Sequence, residues 1–430
     1  MGTEITLSVG GMDVAWSKNH RGIDHGALFQ ERDRTRAHSD QVDYKYFEER
    51  DDAELASMEA AFVRKLADLV PRLELLGFTM QSIEAEYALA TKRWLERSDE
   101  EEEAPKAAMA FEQFLAFALR TSIADLNNEY DPDLDDEKSK GRFAGLAEID
   151  QVPNADLWDR DHYSERSYFG NVIDFLHPYS VLRLLAGTPS NRGLDVVWQY
   201  GPLVDAGWAE LSEFTGDARR SERFLIATEG SSDVHVLRHA IAALRPDVCD
   251  FFHFVDVSES HPFSGTGQLR KFAEGLAKID VQNKTLFVFD NDAEGVEASQ
   301  KVEAMRLPLN MRSMVLPDRH EFSSFPILGP DGLTNADING RAAAIECYLD
   351  LNLPGRPPAQ ATWSNYKKNL GRWHGALDFK ESYAQRFLET SSAELAKSDH
   401  DTAKIEAVLD AIISECSLIG SSERMAKWNE

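Results

Sequence analysis

Residues 222–233 read ERFLIATEGSSD. A five-residue apolar run, FLIAT, stops at Glu229-Gly230, and SDVHVLRHAIAAL (232–244) takes up an amphipathic helical pattern straight after it. The alternation then repeats. FFHFVDV (251–257) precedes TGQLRKFAEGLAKI (266–279), TLFVFDND (285–292) precedes AEGVEASQKVEAM (293–305), and MRSMVLP (311–317) is a fourth apolar run. Short apolar runs alternating with helices of about 10–15 residues predict βαβ units and a parallel sheet. Right-handed crossovers in such a sheet put ligands at the carboxyl ends of the strands.

On the N-terminal side, EITLSV and MDVAW alternate apolar and polar residues around Gly10-Gly11, the pattern of a hairpin. KNHRGIDHGALFQ (18–30) reads as a loop. From 51 to 97, Leu55, Met58, Phe62, Leu66 and Leu69 recur at three- and four-residue spacing and predict helix, divided in two by Pro71 and Gly77. Further helices are expected over 109–126, 168–185 and 194–214. Beyond Pro317, a loop rich in Pro and Gly leads into a mostly helical tail from about Arg341. The expected architecture is α/β, with a Rossmann-like parallel sheet flanked by helices over 221–320. A mostly helical N-terminal domain carrying an initial β-hairpin (1–220) precedes it, and a completion of the α/β domain with a helical C-terminal region (321–430) follows.

The chain has 430 residues, 43 % of them hydrophobic, and 46 Lys+Arg against 74 Asp+Glu give a net charge of −28. This length holds two or three domains. The acidic balance excludes a protein that coats nucleic acid by bulk charge, though not one with a local basic channel. Residues 96–140 contain 14 acids and 5 bases, so two acidic connections carry about a third of the excess. Cys249, Cys347 and Cys416 lie far apart with no CxxC, which excludes a disulfide scaffold and a four-thiolate zinc site and suits a reducing cytoplasm. No signal-peptide pattern follows Met1, and no apolar run reaches the ~18–20 residues of a membrane span. A cytoplasmic protein without a membrane partner is expected.

Three acids fall where this architecture puts reactive groups. Glu229 ends the first strand, and Asp290 and Asp292 end the third. Residues i and i+2 on a strand share a face, and a neighbouring strand ~4.8 Å away brings Glu229 within reach if the first and third strands pair. Clustered carboxylates repel and need a cation to stay ionised together, and all-oxygen ligands favour Mg²⁺ or Mn²⁺.

TEGSSD with DND 61 residues after its Glu resembles the Toprim domain of topoisomerases, bacterial primases and small nucleases. KNHRGIDHGALF (18–29), HPFSGTGQLRKF (261–272), the DNDAEG turn and FPILGPDGLTNADINGRAAAIECYL (325–349) extend the resemblance to bacterial HEPN/Toprim-associated proteins, suspected antiphage defence nucleases. The resemblance implies a general acid–base role for Glu229 and Mg²⁺ ligation by Asp290 and Asp292. It adds Asp233 and Glu346 as carboxylates for a second cation, with Glu229 also among the metal ligands. Metal-assisted hydrolysis of DNA or RNA phosphodiesters by activated water is then the expected reaction. No tyrosine-bearing cleavage module, zinc domain or GxxxxGK[ST] loop supports a topoisomerase, an ordinary primase or an ATPase. Two other roles use the same acids: a metal-binding sensor or regulatory subunit of a defence complex, and, more weakly, a primase-like nucleotidyl transferase.

Nucleic acid would need basic contacts, and Lys18, Arg21, Arg219, Arg220, Lys367, Lys368 and Arg372 are the candidates. Around the last three, Trp363, Tyr366, Trp373 and His374 interleave rings with bases, a mix suited to stacking and phosphate contact. A partner ATPase, another defence protein and a second copy of the chain are the expected partners besides the substrate. Arg32-x5-His38 has the spacing of a HEPN ribonuclease pair, but it falls in a polar stretch rather than late in a helix. His235 and His239 have zinc-ligand spacing without the Glu of HExxH, and a bare GTG at 265–267 opens a helix as a weak phosphate loop.

Overall fold

The computed structural model describes residues 2–47, 52–100, 107–130, 136–153, 162–255, 265–368, 370–395, 397 and 400–428. Parts of both acidic connections (101–106, 131–135) and the HPFS of the 261–272 motif lie outside these residues. Two compact units form, one from Met1–Ala218 with Arg424–Glu430, the other from Arg219–Glu423.

The predicted hairpin is present in unit 1 as β1 (Glu4–Val9) and β2 (Met12–Lys18), turning through Gly10 and Gly11 at positive φ. It is one side of a larger sheet. With β3 (Arg34–Arg36), β4 (Ala60–Lys65) and β5 (Asp195–Gln199) it makes a five-stranded antiparallel sheet in the order β2-β1-β5-β4-β3. The domain is therefore less helical than the periodicity implied. Phe62, counted above as a helix position, lies on β4, where its ring stacks with Trp198 of β5 at 5.8 Å. An aromatic, β-branched AFV segment pairing with a distant strand overrides a local 3.6-residue rhythm. Numbering helices of eight residues or more, α1 (Leu66–Leu75) and α2 (Met80–Glu100) follow, separated at Gly77 (φ +90°) as predicted, while Pro71 lies inside α1. α3 (Phe111–Leu119), α4 (Glu165–Ile173) and α5 (Pro178–Leu185) complete the unit. Arg72, fully buried on α1, donates to the carbonyls of Ala27 (2.9 Å) and Phe29 (3.0 Å), which pins the 18–30 loop to the core.

In unit 2 the four apolar runs form β6 (Phe224–Thr228), β7 (Phe252–Phe254), β8 (Lys284–Phe289) and β10 (Met311–Val315). They pair in parallel in the order β10-β8-β6-β7, so the first and third strands are neighbours. The connecting helices are α6 (Ser231–Leu244), α7 (Thr266–Lys278) and α8 (Ala293–Glu303). Ala227, Phe287 and Phe289 of the strands pack with Leu269 of α7 and Ala298 and Val302 of α8. Between β8 and α8 a two-residue strand, β9 (Asn291–Asp292), pairs with β13 (Ala342–Ala343). The region read as loop and helical tail contains a second sheet, of order β12-β11-β14-β15: β11 (Phe325–Gly329), β12 (Gly332–Ala336), β14 (Ala361–Lys367) and β15 (Arg372–Leu377). Helices α9 (Lys380–Glu389) and α10 (Ala403–Ala426) then give the helical C-terminal region. Among the described residues no helix is long and apolar enough to cross a membrane.

Candidate functional site

Glu229 follows β6 and Asp290 follows β8, so parallel pairing of the two strands puts both acids at one end of the sheet. The Asp290 amide donates to Glu229 Oε1 at 3.1 Å, a direct link between the two motifs. Asp290 Oδ1 in turn accepts the amide of Ile345 (3.1 Å), in the turn that carries Glu346. Asp292 caps α8, with Oδ1 accepting the amides of Glu294 and Gly295, both at 2.8 Å. The DxD pair is thus not a simple i, i+2 display on one strand. The chain leaves β8 at Phe289 and re-pairs with β13 at Asn291.

Asp233 stands in the first turn of α6, where Oδ2 accepts the Gly230 amide (3.1 Å). Buried Glu346 accepts the Ser232 hydroxyl at 3.0 Å. The five predicted carboxylates are therefore linked through a few intervening backbone and hydroxyl groups. Gly295 of the DNDAEG turn has a clear purpose. A Cβ there would stand 2.1 Å from the Asp290 carbonyl oxygen and 3.0 Å from Glu229 Oε1, so only glycine lets α8 start this close to the acids.

Burial and mutual repulsion shape the electrostatics. Burial, then the charge of Asp292, pushes Glu229 up to about 8. Burial and Glu346 push Asp233 up to about 7. Burial, with Asp233, Glu229, Asp292 and Glu346 around it, holds Asp290 well above the usual carboxylate range, and burial also raises Asp292. Such a cluster keeps protons at neutral pH unless a cation replaces them. In each of the five carboxylates an oxygen is held in place by a protein donor. This donor set fits a hard divalent cation. As they stand, no three His, Cys, Asp or Glu among the described residues are spaced to hold a metal ion, so these side chains would have to draw together around one.

The predicted basic residues divide. Lys367 forms an ion pair with Glu294 (2.5 Å), and Arg372 Nη1 donates to the Gly340 carbonyl (3.2 Å), next to the DxD turn. Lys368 lies exposed at the turn between their strands. Lys18 and Arg21 belong to unit 1, where they pair with Glu4 (3.5 Å) and Asp24 (2.5 Å). Arg219 and Arg220 open unit 2, and the Arg219 amide donates to Glu222 (2.5 Å). Arg32 bonds Gln30 while His38 stacks on Tyr44 at 4.4 Å, on a short 3₁₀ turn and a loop rather than late in a helix. His239 donates to the Thr390 carbonyl (2.9 Å) with His235 exposed, and Gly265 at the GTG donates its amide to the Glu229 carbonyl (3.2 Å).

Sequence reasoning gave no separate role to Glu294, to Asn291, or to His374 beside the acids. His374 Nδ1 lies 3.8 Å from Asp292 Oδ2, and Asn291 accepts the Gly340 amide (2.7 Å) while donating to Asp318 (2.8 Å). The DNDAEG motif itself carried the signal for Asn291 and Glu294. For His374 the signal was the bases clustered at 367–374.

A family model, HEPN/Toprim N-terminal domain 1, matches residues 1–222, slightly more than half of the chain. Comparison with curated proteins and with solved structures gave no match.

Proposed function

The chain belongs to the HEPN/Toprim N-terminal domain 1 family, and from that premise we propose that unit 2 is a Toprim-type nuclease that hydrolyses phosphodiester bonds of DNA or RNA with Mg²⁺ or Mn²⁺. Family membership points to a nuclease-related or defence-associated role, and bacterial antiphage defence is the setting we infer. The observation that carries the proposal is the bond from the Asp290 amide to Glu229 Oε1, which joins the two acid motifs at the carboxyl end of a parallel sheet.

Glu229, Asp290 and Asp292, with Asp233 and Glu346, are the residues that would hold the cation or cation pair. When bound, such ions acidify a coordinated water and offset charge on the reacting phosphate. The chain's own residues do the rest. The Asp290 amide fixes one Glu229 oxygen and leaves the other for the cation or for a proton in transfer. The α8 amides hold Asp292, and the Ile345 amide holds Asp290, each in a single orientation.

The test is cleavage of plasmid, linear DNA, tRNA and single strands by purified protein with Mg²⁺ or Mn²⁺. Asp290→Ala is expected to abolish it. Cleavage that survives Asp290→Ala, or a wild type that cuts none of these substrates, refutes the proposal.

A further inference from the structure

In a chain with 74 acids among 430 residues, the longest stretch without one is 351–377, and its 27 residues carry Arg356, Lys367, Lys368 and Arg372. Most of it is the β14–β15 hairpin. The pairings Tyr366↔Trp373, Lys367↔Arg372 and Asn365↔His374 sort the hairpin into two faces, because opposed residues of an antiparallel pair point the same way. On one face Trp363 and Tyr366 pack on Trp373, with ring centroids 6.4 and 5.5 Å apart. On the other, Lys367, Arg372 and His374 reach Glu294, the Gly340 carbonyl and the surroundings of Asp292. Rings and bases alternate in sequence but separate in space. The rings brace the hairpin, and the bases line the acid site.

Lys367 is committed to Glu294, whereas neither Lys368 nor Arg372 has an acidic partner among the described residues. A phosphate chain approaching five carboxylates meets repulsion, and cations within the cluster relieve it for the phosphate being cut. The phosphates on either side need other positive charge, and the acid-free hairpin brings Lys367, Arg372 and His374 to the edge of the site.

We propose that the β14–β15 hairpin is the strand-guiding wall of the site: Lys368 and Arg372 bind backbone phosphates flanking the one held at the acids, and Lys367 ties the wall to the start of α8. The proposal rests on the nuclease reading for the direction of the strand, but its binding surface is testable without cleavage.

The experiment uses the full chain, EDTA and a fluorescent 20-nucleotide single strand, with affinity measured by anisotropy from 50 to 200 mM salt. Each phosphate contact to a single strand contributes about 0.7 to the slope of log affinity against log salt. Lys368→Gln with Arg372→Gln is expected to lower that slope by about 1.4, while Lys368→Arg keeps both the slope and the melting temperature. An unaltered slope in the double variant, or a wild type that does not bind, overturns the proposal. A lost slope with cleavage that survives Asp290→Ala would uphold the wall and sink the nuclease assignment. An unaltered slope with cleavage that depends on Asp290 would do the reverse.

Discussion

Replacing Asp290 by Asn should make the metal-free protein more stable at neutral and alkaline pH, although it deletes a residue at the centre of the site. In the folded chain Glu229 is pushed up to about 8, Asp233 to about 7, and Asp290 well above its usual range. In the unfolded chain all three ionise near 4. The folded unit therefore holds protons that the unfolded chain has released, and stability falls as pH rises from about 4 through the folded values. Buried His25 and half-buried His177 act with the opposite sign. Held down to about 4 and about 3, they stay neutral in the fold, and stability rises with pH until about 6.5, where the unfolded histidines have also lost their protons. The window from pH 6.5 to 8 thus belongs to the carboxylates. Each proton the fold retains gives a slope of at most about 1.4 kcal/mol per pH unit, so one site contributes at most about 2 kcal/mol across the window. For a unit spanning 219–423 this corresponds to roughly 4–8 °C in melting temperature. The amide oxygen of an asparagine side chain can still accept the Ile345 amide, so the change removes charge with little alteration of shape. Thermal melts in EDTA should show Asp290→Asn gaining 4–8 °C on the wild type between pH 6.5 and 8. Added Mg²⁺ should raise the wild type and close the gap, because a cation takes the place of the protons. A wild type that holds level with the variant across this window in EDTA would refute the account of the cluster.

Two further substitutions test how the site and the N-terminal unit are built. Gly295→Ala forces a methyl to 2.1 Å from the Asp290 carbonyl oxygen, which is backbone and cannot swing aside. Loss of more than ~3 kcal/mol in urea unfolding is expected, above the common cost of overpacking, and a change below 1 kcal/mol would contradict the close approach. Arg72→Met leaves the carbonyls of Ala27 and Phe29 without their buried donor. A loss of roughly 2–6 kcal/mol is expected by the same measurement, about 1–3 kcal/mol for each buried carbonyl left without its donor. The Mg²⁺ response described for Asp290 should persist in that variant.

The parallel sheet was legible because its strands are short apolar runs, each followed by an amphipathic helix within a few residues. Period and punctuation there report local structure that tertiary contacts reinforce. The antiparallel sheet of unit 1 was legible only at its hairpin. β5 pairs with β1 and β4 across 130 residues of chain or more, and no local pattern announces that pairing. Phe62 fits a helical rhythm and a strand equally well until Trp198 is known to face it. The second sheet of unit 2 was missed for a related reason, since its strands are edged by Gly and Pro and only partly buried. At the site, residue types identified the acids. Sequence did not show that Asp292 is also a helix cap, or that Lys367 closes on Glu294, because both depend on where β9 and β14 end up.

The contacts that assemble the acid site span long stretches of chain. Asp290 meets Ile345 across 55 residues, Asn291 meets Gly340 across 49, and Glu294 meets Lys367 across 73. Contacts of such separation are paid for in loop-closure entropy before they return anything, so they form late in folding. On a ribosome adding about 5–20 residues per second, chains that have emerged only as far as α8 carry Glu229, Asp290 and Asp292 but lack the turn that orients Asp290. A growing polypeptide therefore passes several seconds with its acids unassembled. The order of synthesis itself delays the completed centre until the chain has grown past Lys367.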